Sequence, residues 1–174
     1  SGTDQEVKDQ AGRSTGNPAD DYEQQAADVV KGARERGNIN DSDMQKLVDI
    51  YKDYYDKAAK PALQAAVSDD TKIDSAVSIY LNWARQVELL GLADDMVSRR
   101  TEGDALMIRG LKNAFDKAAQ RCVSDQNVEE AGNMITRLYQ LNLLGASDSD
   151  YTLSGKYKEF ERCLTFKVNF ESII

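Results

Sequence analysis

The sequence predicts an all-α domain of five to six helices, stacked as antiparallel hairpins with an internal repeat and ending in a short C-terminal β-strand. Three observations predict it. Apolar residues recur at helical spacing through most of the 174 residues. The stretch YYDKAAK at 54–60 returns as AFDKAAQ at 114–120. The last eleven residues, LTFKVNFESII, alternate apolar and polar side chains with the period of a half-buried strand. Composition agrees with a folded helical chain. Hydrophobic residues make up 41% and there are only two prolines, which supports a packed core, and four Phe with one Trp favour helix over sheet.

Residues 1–16, SGTDQEVKDQAGRSTG, lack an apolar period and read as a flexible leader. No signal peptide or membrane-spanning run is present in the sequence. A leader of this composition commonly follows the lipidated cysteine of a bacterial lipoprotein, and Ser1-Gly2 also fits a cloning scar. The helical domain is expected over 17–163. Asn17-Pro18 announces the first helix, since Asn caps and Pro suits the first helical position. Tyr22, Ala26, Val29, Val30 and Ala33 then form its face, and Gly37 is its left-handed C-cap. The second helix starts near Asp41 or Ser42 and runs through Leu47, Val48, Tyr51, Tyr55, Ala58 and Ala59. Pro61 forces a kink or restart before the pattern resumes at Leu63 and Ala66.

The third helix follows the capping cluster Ser68-Asp69-Asp70, carries Ile73, Val77, Tyr80, Ala84, Val87 and Leu90 on one face, and closes at Gly91. Residues 94–100, DDMVSRR, read as a linker or a single turn. Thr101 and Asp104 then form a capping-box variant that opens the fourth helix, with Leu106, Met107, Leu111, Phe115 and Ala118 on its face. The fifth follows Ser124-Asp125, carries Val128, Ala131, Ile135, Leu138 and Leu141, and ends at Gly145. Tyr157, Phe160 and Leu164 suit a short sixth.

The second and fourth helices align at an offset of 60. The turns VSDD at 67–70 and VSDQ at 123–126 align at 56, and the helix ends VELLG at 87–91 and LNLLG at 141–145 align at 54. The first slip of four residues coincides with PALQ at 61–64 and is close to one helical turn, so the buried face nearly keeps its phase. Two repeat units are therefore expected, about 41–91 and 101–145. Helical pairs repeating along the chain resemble a tetratricopeptide-type α-solenoid over about residues 41–145. The resemblance implies stacked hairpins and binding of proteins or peptides. The family's 34-residue period and its Trp-x-x-Leu-Gly-x-x-Tyr opening are absent, and Trp83 lies inside a second helix, so no site residue carries over.

The strand expected at 164–174 needs backbone partners that no other segment supplies. It pairs with a symmetry mate in a homodimer, lies in a groove, or begins a β domain beyond residue 174. The last is favoured, because Ile173-Ile174 looks like a cut end.

Composition also limits chemistry. The net charge is −8, and Lys and Arg are scattered, which argues against nucleic acid and anionic membrane as partners. Histidine is absent, which removes the commonest general base and metal ligand together with every Ser-His-Asp or Cys-His site. Two cysteines cannot hold a structural zinc without histidine partners. Neither a metal nor a cofactor is expected. DSDYTLSGKYKE, residues 148–159, has Asp at positions 1 and 3 and Glu at 12, but its glycine falls at position 8 instead of 6, so a capped turn is expected rather than a calcium loop.

Cys122 ends the fourth helix and Cys163 the sixth. An up-down-up arrangement of the last three helices brings them to one end, where they form a disulfide or remain two buried thiols. A disulfide implies periplasm, cell surface or secretion. Among the aromatics, Tyr51 and Tyr55 lie on the apolar stripe and belong to the core. Tyr54 and Trp83 lie off it and, with Arg85, are the candidates for gripping a partner. Two functional expectations follow, and in both the compartment is extracytoplasmic. The first is a non-enzymatic protein- or peptide-binding module of a bacterial protein, with a lipoprotein as one form. The second is a carbohydrate-binding or -degrading protein using an aromatic surface around Trp83. A third, with reduced thiols, is a cytosolic helical adaptor.

Overall fold

The computed structural model describes residues 18–125, 128–145 and 149–164. The first helix, α1 (Asp20–Arg36), begins two residues after Pro18, which lies in a turn; Asn17 falls outside the described residues. No side chain caps it. Ala19 O accepts from Glu23 N at 3.0 Å instead, and Asp20, Asp21 and Glu23 place negative charge at the positive end of the helix dipole. Gly37 ends α1 at φ 81°, where the N–H groups of Gly37 and Asn38 bond to Arg34 O and Ala33 O.

A capping box opens α2 (Asp41–Tyr54). Asn40 Oδ1 accepts from Asp43 N at 2.8 Å, Asp43 Oδ2 accepts from Asn40 N at 3.1 Å, and Arg36 pairs with the same buried carboxylate. Those contacts hold Asp43 below the usual carboxylate range, first through the Asn40 N–H and then through Arg36.

After Tyr54 the helix loosens into a π segment, Tyr55–Ala59, and tightens again as α3 (Lys60–Ser68). Pro61 explains the place. In an α-helix its ring would collide with the carbonyl four residues back, and it has no N–H to give. The wider register, in which Lys60 N–H bonds Tyr55 O, accommodates it without breaking the rod.

Asp69 then caps a 3₁₀ turn, Asp70–Lys72, by accepting from Thr71 N and Oγ1 at 3.1 and 2.6 Å, and α4 (Ile73–Leu89) follows. Gly91, at φ 72°, turns the chain into a second 3₁₀ turn, Ala93–Met96.

The next helix corrects the sequence reading. α5 (Val97–Asp125) starts four residues before the expected capping box. Thr101 lies inside it, and its hydroxyl donates to Val97 O at 3.0 Å, the ordinary back-bond of a helical threonine. The residues read as a linker contain Met96, which is fully buried, and Arg99, which clamps both oxygens of Asp56 at 3.0 and 2.8 Å. The last helices are α6 (Val128–Leu143) and, after a 3₁₀ turn at Ser149–Tyr151, α7 (Tyr157–Leu164).

The fold is all-α. The continuous run Asp41–Ser68 counts as one helix, so six are present among the described residues and no strand is. The C-terminal strand is corrected at its first residue. Leu164 closes α7, because it continues the helical spacing of Tyr157 and Phe160. The remainder of that prediction, 165–174, and the homodimer proposed through it lie outside the described residues.

The chain divides into two compact units. Among the described residues, one comprises 18–62 together with Ser75–Gly103; the other comprises Leu63–Asp74 and the described residues from Asp104 onward. In the first, α1 packs on α2 around an aromatic core. Tyr51, Tyr54, Tyr55, Tyr80 and Trp83 are all fully buried, with Trp83 stacked on Tyr80 at 5.5 Å and tilted against Tyr55 at 5.0 Å. Every polar tip has a partner. Trp83 Nε1 donates to Tyr51 O at 2.8 Å, and the phenols of Tyr51, Tyr54, Tyr55 and Tyr80 donate to Gln86, Glu23, Glu102 and Arg100 O. In the second unit Phe115, Met134, Leu138 and Phe160 surround Cys122 and Cys163, whose Cα atoms lie 5.3 Å apart, at disulfide distance.

Candidate functional site

The first unit carries an open groove of about 460 Å³ between α1 and the C-terminal end of α4. On α1 its wall is the stripe Glu23, Ala26, Ala27, Val30, Lys31 and Arg34, at steps of three and four residues along one face. Small side chains leave the space. Ala26 and Ala27 line this wall, and neither fills the gap to α4 as a leucine would. The opposite wall is Gln86, Leu89 and Leu90, with Tyr51 between. Burial, and the nearby Glu23 carboxylate, push the Tyr51 phenol up to about 12, so it remains a neutral donor to Gln86 Oε1.

Leu89 is 77% exposed. It is the last residue of α4, and Leu90, which follows it before Gly91, is half-buried. A single exposed leucine is ordinary, but this one lines a concavity with Val30, Ala27 and Leu90. A second groove of about 400 Å³ shares Val30 and Arg34 and reaches Ile39, which is 51% exposed. Together they make an apolar strip along α1. Its charges are uneven. Glu23 lies at one end and accepts from the Tyr54 hydroxyl at 3.1 Å, whereas Lys31 and Arg34 have no ion-pair partner among the described residues.

The structure redistributes the residues singled out from sequence. Tyr54 and Trp83 are wholly enclosed, and both are part of the aromatic core. Their place off the cleanest stripe reflects a wide buried face, in which Tyr54 stacks on both Tyr22 and Tyr51, and Trp83 meets both Tyr55 and Tyr80. An aromatic platform for a sugar needs an open ring face, and Trp83 has none, so the surface expected around it is absent. Arg85 is exposed but outside the groove, and its guanidinium donates to Asn82 Oδ1 at 3.0 Å on its own helix. Lys31, Arg34 and Leu89, which line the groove, are not singled out by the sequence pattern. In both LLG endings the first leucine is exposed, Leu89 at 77% and Leu143, in the matching LNLLG, at 69%, and the second is half-buried.

A second pocket, about 580 Å³, lies in the other unit between α5 and α7 and includes Asp116, Glu159 and Arg162. Lys156 stands 4.0 Å from Asp116 and 3.6 Å from Glu159 and covers the Tyr151 ring at 4.3 Å, so an internal cation already meets these carboxylates. Among the described residues no cluster of three or more His, Cys, Asp or Glu side chains could hold a metal ion, and no helix is long and apolar enough to cross a membrane. No family model, curated protein or solved structure matches the chain.

Proposed function

We propose that this chain is a non-enzymatic protein- or peptide-binding module of an extracytoplasmic bacterial protein, with a lipoprotein as one form, and that it docks its partner in the groove between α1 and the end of α4. The groove carries the reading. It is open, apolar along its floor and bordered by an exposed leucine. The sequence repeat and its tetratricopeptide-like stacking belong to the same proposal, since hairpin arrays commonly present such grooves. The cysteines at disulfide distance support the compartment, because paired structural cysteines persist where the surroundings are oxidising.

A photo-crosslinking amino acid placed at Leu89 tests the docking site in the native host. Irradiation is expected to give adducts containing a second protein, whereas the same probe at exposed Gln45 on α2 gives none. Absence of adducts at Leu89 would refute the groove as the docking site.

A further inference from the structure

Building on the peptide-binding reading above, we infer that the groove on α1 takes a helical peptide with apolar anchors and acidic residues, its carboxylates meeting Lys31 and Arg34. Charge carries the argument. The chain has a net charge of −8, so acidic side chains dominate it, yet the two cations bordering this groove have no ion-pair partner among the described residues. Between and beside them lie Ala27, Val30, Leu89 and Leu90. A carboxylate that arrives with its own apolar side chains finds both needs met within one helical turn.

Length favours a helix as the occupant. From Glu23 to Arg34 the wall runs through twelve residues, about 17 Å at the helical rise. That length matches about three turns of a second helix, enough for anchors at i, i+3 or i+4, and i+7. The ends differ. Glu23 repels acid at one end and the cations attract it at the other, so the acidic residues of the occupant lie toward Arg34. An anionic membrane offers acid without this pattern, and it is repelled by the overall charge of the chain.

Selection from a displayed library of random 16-residue peptides tests the assignment, with Leu89→Asp used for counter-selection and circular dichroism confirming that each variant is folded. Peptides that depend on Leu89 are expected to be rich in Leu, Asp and Glu. They should bind the Lys31→Glu/Arg34→Glu protein about tenfold more weakly, while a peptide with Lys in place of its acids gains on that variant. Leu89-dependent peptides that are neutral or basic, or indifferent to the double reversal, would overturn the acidic assignment and leave the groove as a docking site. Failure to recover any peptide sensitive to Leu89→Asp would overturn both.

Discussion

Gly103 shows how closely single residues are fitted in the aromatic unit. A Cβ built there would lie 2.2 Å from Tyr80 Cε1 and 2.5 Å from its Cζ. The ring cannot retreat easily, because it stacks on Trp83, meets Tyr55 edge-on at 6.3 Å and ties its hydroxyl to Arg100 O at 2.9 Å. Gly132, on α6, is the counterexample, since nothing lies within 4 Å of its added Cβ. Both are helical glycines at which alanine would relieve backbone entropy. Gly132→Ala is therefore expected to stabilise the fold by about 0.5–1 kcal/mol. Gly103→Ala should destabilise it by about 1–3 kcal/mol, because overpacking a filled core outweighs the propensity gain. Urea midpoints of the two variants are expected to move in opposite directions. A raised midpoint for Gly103→Ala would show that the Tyr80 ring is free to shift.

Element boundaries were legible wherever one residue type has one physical use. The sequence predicts C-caps at Gly37, Gly91 and Gly145, and all three have positive φ, at 81°, 72° and 63°. Pro61 was read as an interruption, and the helix answers it with a π segment rather than a break. Errors arose where one residue serves two patterns. Thr101 followed by Asp104 matches a cap, yet a threonine inside a helix bonds its own preceding turn equally well. Leu164 began an alternating run and also continued a helical one. The groove on α1 is largely illegible in the sequence, because it arises from missing volume at Ala26 and Ala27, and sequence patterns report side chains rather than the space between them. The pairing of α1 with α2, together with α4, also has a consequence at high pH. Tyr51 has its phenol pushed up to about 12 by burial, above the ordinary value near 10, and Tyr54 and Tyr55 are pushed further in the same direction, mainly by burial. A raised value in the fold means the neutral form is favoured there. The contribution to stability is fully present below about pH 10 and is lost as pH rises through the folded value. Part of the tyrosinate absorbance is expected to appear only together with loss of helical dichroism, above about pH 11. Complete tyrosine ionisation with helicity intact would contradict the buried hydroxyl network.

At the scale of the whole molecule the cysteine pair brings α5 and α7 to disulfide distance across 41 residues of sequence. Cys122 and Cys163 are both buried beside Phe115 and Phe160, so reduced thiols could remain in place as small apolar groups. A disulfide here acts mainly on the unfolded chain, where closing a loop of this length is worth about 3–4 kcal/mol in the chain-entropy model. Reductant is therefore expected to lower the melting temperature by about 10 °C for a chain of this size, without changing the helical signal of the folded protein. The Cys122→Ala/Cys163→Ala variant should melt near the reduced protein and ignore reductant. Thiol titration after denaturation separates the alternatives, with no reactive thiol before reduction and two after it. Two free thiols in protein taken from its native compartment would mean that the cysteines are neighbours without a bond. The chain would then fold on packing alone, and the structural support for an oxidising location would be gone while the groove on α1 remained.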